Sequence, residues 1–287
     1  MEFADRLVDA QKQKRTLLVL GVDPQLDRPG APGIPADTTL TRFCCEIIEA
    51  CAEFVVAIKP QLAFFEARGI AGMAAFVEVV RFARSRGLLT IADGKRGDIG
   101  STSAAYAEAF VGGGDFACDA VTVNPYMGSD ALAPFIARVR NGRGVFVLVK
   151  TSNPSSGEFQ DLTAGGRPVW ESVAARVAGW GSDFIGSSGL SSVGAVIGAT
   201  YPDQAVRARE LMPAAIVLAP GFGAQGASAE EAVASARADG LGVIVNASRS
   251  LMYASRVEGE NFIAAARRAA AAMRDELNLA LAARIRH

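Results

Sequence analysis

Leu17-Leu18-Val19-Leu20-Gly21-Val22-Asp23-Pro24 is a short apolar run that stops abruptly on a carboxylate. A Leu/Val-rich run without polar alternation reads as a strand buried on both faces. The residues at its end separate two architectures. A doubly wound nucleotide-binding sheet places G-x-G-x-x-G after its first strand, and here Gly21-Val22-Asp23-Pro24 stands instead. Similar runs recur at Val55–Lys59, Leu88–Asp93, Ala120–Asn124, Val145–Lys150, Val193–Gly198, Ile216–Ala219 and Val243–Asn246. Between and after them lie Ala-rich, charge-faced segments of helical length, about 39–53, 70–86, 102–112, 129–141, 168–182, 203–212, 228–239 and 259–275. Eight strands alternating with eight helices in 287 residues predict a closed (β/α)8 TIM barrel, α/β in class, with residues 1–287 as one catalytic domain.

Composition removes whole classes of function. Twenty-nine basic against 30 acidic side chains leave a net charge of −1. No basic run marks a nucleic-acid or membrane-surface binder. No apolar stretch reaches the roughly 18–20 residues of a membrane span. Met1 to Arg15 mixes acids and bases around no apolar core, unlike a signal peptide, so a cytoplasmic location is expected. The four cysteines, Cys44, Cys45, Cys51 and Cys118, form no C-x-x-C pair and read as small buried hydrophobes. The single histidine is His287. A Ser-His-Asp triad, a Cys-His pair and a His-ligated metal are therefore not expected. Proton chemistry must fall to Lys, Asp, Glu, Tyr or Cys.

Two connections are longer than a barrel needs: Asp23 to Asp37, with four prolines, and Thr151 to Arg167, rich in Ser, Gly, Asn and Pro. Both come after strands, so both belong to the face where barrel active sites are built, as lids or binding loops. Charges at the ends of apolar strands are the stronger signal, because burying an unpaired ion is costly. Asp23 ends the first strand, Lys59 the second and Asp93 the third, with Lys95 and Asp98 close behind in Asp93-Gly94-Lys95-Arg96-Gly97-Asp98. In an extended segment i and i+2 share a face, so Asp93 and Lys95 can both aim into the barrel mouth. Each neighbouring pair of opposite charges at 4 Å attracts by about 4 kcal/mol at an effective dielectric of 20, enough to keep such a cluster ionised. The plain alternative is a salt-bridge network that merely closes the barrel top.

The second signal lies after strands seven and eight. Pro220-Gly221-Phe222-Gly223-Ala224-Gln225-Gly226 leads into a helix, and Asn246-Ala247-Ser248-Arg249-Ser250 comes after the last strand. Glycines allow close backbone approach, a helix N-terminus offers N–H donors, and Arg249 supplies a forked cation, so a phosphate is expected there. The plain alternative for the glycines is tight turns.

Asp93-Gly94-Lys95-Arg96-Gly97-Asp98-Ile99-Gly100-Ser101-Thr102 resembles the signature of the orotidine 5′-phosphate decarboxylase family, in its longer bacterial (type 2) branch, D-x-K-R-G-D-I-G-x-T. The likeness extends to Gly21-Val22-Asp23-Pro24, Lys59-Pro60-Gln61-Leu62-Ala63-Phe64-Phe65-Glu66, Thr151-Ser152-Asn153-Pro154 and Pro220 to Gly226, in family order along nearly the whole barrel. It implies decarboxylation of orotidine 5′-phosphate to uridine 5′-phosphate and carbon dioxide, the last step of de novo UMP biosynthesis, with no cofactor and no metal. It implies further that Lys95 protonates carbon 6 of the pyrimidine, that Asp93 lies against the departing carboxylate, and that Lys59 holds Asp93 and Asp98 and touches the ribose. Asp23 would bind a ribose hydroxyl, Ser152 the pyrimidine, and Gln225 and Arg249 the phosphate. Asp98 and Thr102 would reach the ribose in a neighbouring subunit, making a homodimer with shared sites. One departure is visible: shorter family members carry Gly before the phosphate arginine, where this chain has Ser248. The rival reading is a metal-dependent sugar-phosphate decarboxylase or aldolase of the same barrel suprafamily, with a related Asp-x-Lys-x-x-Asp cluster and an enediolate. Dependence on a divalent cation separates the two. A phosphate-binding barrel isomerase would need a general base such as a strand-end Glu, and none is placed as well as Lys95. A non-catalytic nucleotide-binding barrel would tolerate loss of Lys95, Asp93 or Asp98, and all three are present.

Overall fold

The computed structural model describes residues 1–26, 34, 38–223 and 226–286. The expected strands form as β1 (Leu18–Val22), β2 (Ala57–Pro60), β3 (Leu89–Arg96), β4 (Ala120–Val123), β5 (Gly144–Lys150), β6 (Ser191–Ile197), β7 (Ala215–Pro220) and β8 (Val243–Ala247). They pair in parallel in that order, and β8 closes onto β1 through Leu18↔Val245, Val19↔Asn246 and Leu20↔Ala247. Strand alternation sorts the side chains into two cores. Val19, Ala57, Ile91, Ala120, Phe146, Ile216, Leu218 and Ile244 fill the barrel interior. Leu18, Leu20, Ile58, Val121, Val147, Val217 and Val245 pack outward beneath the helices.

Apolar periodicity assigns no element to the first fifteen residues, yet Phe3–Lys14 is a helix. It stoppers the end of the barrel opposite the strand C-termini. Its buried Phe3, Ala4, Leu7, Val8 and Gln11 follow helical spacing. Phe3 meets Phe146 edge-to-face with ring centroids 5.9 Å apart. The Ala4 N–H donates to Ser192 Oγ at 3.0 Å, and Gln11 Nε2 donates to the Val243 carbonyl at 3.0 Å. Arg6 pairs with Asp119 at 2.7 Å. Asp119 also accepts from the Thr90 N–H and hydroxyl. Burial would raise the Asp119 carboxyl, but Arg6 and Thr90 together hold it below the usual carboxylate range.

The seventh helix also departs from expectation. A capping box at Ser228 and Glu231 opens it, but it ends after one turn, Ala229–Ala232. Arg209 Nε takes the Ser235 carbonyl at 2.8 Å, and Val233 to Ala236 are buried as irregular chain instead. The connection after β5 is folded rather than bare: a short helix Gly157–Gln160 and a two-stranded hairpin, Thr163–Ala164 with Arg167–Pro168. Of the proline-rich connection after β1, residues 27–33 and 35–37 lie outside the described residues. Cys44, Cys51 and Cys118 are buried and Cys45 half-buried, all unpaired, as small core side chains. No helix among the described residues is long and apolar enough to cross a membrane.

Candidate active site

The inward-facing position at the C-terminal end of each strand forms the floor of one cavity of about 1340 Å³. That floor has two halves. From β2 to β4 it carries Lys59, Asp93 and Thr122, with Asp23 just beyond β1; from β5 to β7 it carries Leu148, Val196, Leu218 and Pro220. An ionic half faces an apolar half across the barrel mouth. A flat ring with one charged edge fits such a floor.

Asp93 is the centre of the ionic half. Lys59 Nζ lies 2.5 Å from Asp93 Oδ2 and Lys95 Nζ 2.7 Å from Oδ1. Gln61 Nε2 donates to Oδ2 at 3.1 Å and Thr122 Oγ1 to Oδ1 at 2.8 Å. Burial alone would raise the Asp93 carboxyl; the two ammonium groups outweigh it and hold the pKa far below the carboxylate range. Burial would likewise lower Lys59, but the charges of Asp93 and Asp23 prevail and raise it. Asp93 and Lys59 are therefore both ionised throughout the neutral range.

Lys95 reaches this position by an irregularity, not by plain strand alternation. Between β3 and β4 the register jumps, Ala92 facing Val121 and Arg96 facing Val123. Within that bulge Lys95 has φ +47°, in the left-handed region. Its N–H donates to Thr122 Oγ1 at 3.0 Å, so Thr122 fixes both Lys95 and Asp93. A non-glycine residue held there costs about 1–2 kcal/mol, and such strain collects at functional sites. Arg96, next in the chain, points away, pairing with Glu66 and packing over Tyr106 and Phe110.

Asp23, Lys59, Asp93, Lys95, Ser152 and Arg249 all line the cavity. Asp98 and Thr102 do not. Asp98 accepts from its neighbour, the Ile99 N–H, at 2.8 Å, and Thr102 is exposed on the helix Gly100–Val111. Gln225 lies outside the described residues. The loop around it turns on Gly221, Gly223 and Gly226, with φ of 115°, 75° and 91°, conformations that side chains resist. Asp23 Oδ1, Asn246 Oδ1 and Ser248 Oγ are buried at the cavity wall with no hydrogen-bond partner among the described residues. The Asp23 and Asn246 oxygens are acceptors and call for ligand hydroxyl donors, whereas the Ser248 hydroxyl can donate to a phosphate. Gly21 permits this wall, since a Cβ there would lie 2.7 Å from Ser248 Cβ. Sequence reasoning assigns no role to Gln61, Thr122 or Asn246. Thr122 and Asn246 carried a signal, as polar residues at inward positions of apolar strands. Among the described residues no group of three or more His, Cys, Asp or Glu is placed to hold a metal ion.

Comparison with known proteins agrees with this geometry. A family model described as "Orotidine 5'-phosphate decarboxylase / HUMPS family" matches residues 18–262. The chain belongs to this family. An orotidine 5′-phosphate decarboxylase of Rhodopirellula baltica is 43% identical over 273 residues, 90% of either chain. The enzyme of the same name from Deinococcus radiodurans is 43% identical over 281 residues, covering 97% of this chain and 98% of that one. Among solved structures, Leishmania donovani OMP decarboxylase superposes with a TM-score of 0.80 at 36% identity, over 98% of this chain and 99% of that one. The family match starts at the first strand, so the Phe3–Lys14 stopper lies outside it.

Proposed function

We propose that this family member decarboxylates orotidine 5′-phosphate to uridine 5′-phosphate, using Lys95 as the acid. The observation that carries this reading is the Lys95 ammonium, 2.7 Å from an Asp93 carboxylate that is buried and ionised. The ring lies on the apolar half of the floor, with carbon 6 toward Lys95. Breaking the bond from carbon 6 to the carboxylate leaves the electron pair in the ring plane, beyond π delocalisation, as carbon dioxide departs. A fixed ammonium beside that pair stabilises it and then transfers a proton to carbon 6. Lys95 is partly exposed and recovers its proton from solvent. Asp93 stands against the departing carboxylate, and Lys59, Gln61 and Thr122 keep Asp93 from turning away. Asp23 takes a ribose hydroxyl, Ser152 the pyrimidine edge, and Arg249 with Gln225 the phosphate, whose remote binding energy orients the ring.

The working unit in this reading is a homodimer with shared sites. Asp98 and Thr102 lie outside their own cavity, and the connections after β3 and β4 expose apolar side chains: Ile99 beside Asp98, and Tyr126 and Met127 after β4. The activity is tested by following the absorbance of orotidine 5′-phosphate with and without a strong chelator. Turnover that survives chelation is expected. Turnover that needs a divalent cation, or none at all, rejects the reading.

A further inference from the structure

Lys150 closes β5 and is fully buried, yet it does not line the cavity. Strict alternation would put it on the inward face with Phe146 and Leu148. A register shift between Leu148 and Lys150, against Val196 and Ile197 of β6, breaks that alternation. Lys150 Nζ donates instead to both Asp161 oxygens, at 2.7 and 2.8 Å, and sits 4.6 Å from the centre of the Tyr201 ring. Tyr201 in turn shares a 3.1 Å hydrogen bond with Ser156. Gln160, beside Asp161, accepts from the Thr151 N–H at 2.9 Å and donates to Thr151 Oγ1 at 2.8 Å. Ser152 lies in the chain bounded by these contacts. It is pressed so closely on Gly198 that a Cβ there would come within 2.8 Å of its own.

Only the Lys150 end of this pair is buried, and taking an ammonium fully out of water to meet a half-exposed carboxylate is costly, so its use here calls for a geometric reason. We infer that Lys150 is a positioning residue of this active site: its ion pair with Asp161 clamps the segment from Thr151 to Pro168 and so sets Ser152 at the cavity wall. The inference rests on the proposed contact between Ser152 and the pyrimidine. Lys150 itself touches no substrate.

The test combines Lys150→Met, Asp161→Asn and Ser152→Ala. Asp161 is half-exposed, so its carboxylate returns to water when Lys150 is lost and the barrel still folds. Lys150→Met should lower kcat/KM by at least ~10-fold, but by less than ~2-fold when Ser152 is already Ala, since the clamp then has nothing to position. Amide exchange over 151–168 should quicken about 10-fold or more while the remaining strands keep their protection. Should Lys150→Met fail to fold, Asp161→Asn, which keeps one acceptor, should show the same coupling. Additive losses with Ser152→Ala, or full activity in Lys150→Met, would overturn the inference. If the wild-type protein does not act on orotidine 5′-phosphate, the functional reading fails by itself. Exchange, which needs no substrate, then decides the clamp, and unchanged rates over 151–168 overturn it.

Discussion

Lys95 combines an exposed ammonium, a strained backbone and a 2.7 Å contact with Asp93. Lys95→Ala should remove turnover, down by at least ~10³-fold in kcat, while circular dichroism stays native, because the side chain is both electrostatic stabiliser and proton source. A variant keeping a tenth of the activity would reject that role. Lys59 is buried, so its loss should be structural as well. Lys59→Met should cost ~3 kcal/mol in urea denaturation at pH 7, the lower end for a broken buried pair, since Lys95 still faces Asp93. The two shifted groups also set the pH dependence of stability. The lowered pKa of Asp93 contributes stability fully present above its unfolded value of ~3.9 and lost as pH falls through the folded one. The raised pKa of Lys59 contributes stability fully present below its unfolded value of ~10.4 and lost as pH rises through the folded one. Between about pH 5 and 9 neither contribution should change, and a midpoint drifting across that window would contradict the paired state. The charges were legible as ions ending apolar strands. Lys150 ends a strand in the same way, and only the register shift shows that it turns from the cavity.

At the scale of elements, each barrel strand matches its apolar run, because a strand buried on both faces leaves an unbroken signature. The helix Phe3–Lys14 had the right spacing, Phe3, Leu7 and Gln11 on one side, but charged neighbours diluted it. The seventh helix failed for a tertiary reason: Arg209 claims a carbonyl the helix would have used. The bulges in β3 and β5 left no mark in hydropathy, which is blind to backbone register. Close packing between elements makes Gly198 a sensitive position. Gly198→Ala should push on Ser152 Cα, 2.9 Å from the new methyl, and lower kcat/KM about 10-fold, with the melting temperature falling by only a few degrees. Unaltered kinetics in that variant would show that the β5 connection yields freely.

At the scale of the whole molecule, the shared site can be tested by mixing two inactive variants, Lys95→Ala and Asp98→Asn, and letting subunits exchange. In a hybrid dimer the Asp98→Asn subunit keeps its own Lys95 and borrows Asp98 from its partner. Random pairing should restore about a quarter of wild-type activity. Activity that stays at the level of the separate variants, once exchange is confirmed, would place Asp98 within its own chain. Only family likeness suggests this arrangement, because no spacing tells which way a loop carboxylate faces. The stopper helix has a consequence of a different kind. On the ribosome Phe3–Lys14 emerges well before β8, yet Gln11 must find the Val243 carbonyl and Leu18 must pair with Val245. At about 5–20 residues per second the apolar face of that helix waits roughly ten to fifty seconds for the wall it seals. Its charged face keeps it presentable meanwhile, and the barrel's wall and its stoppered end close in one late event, when the last strand arrives.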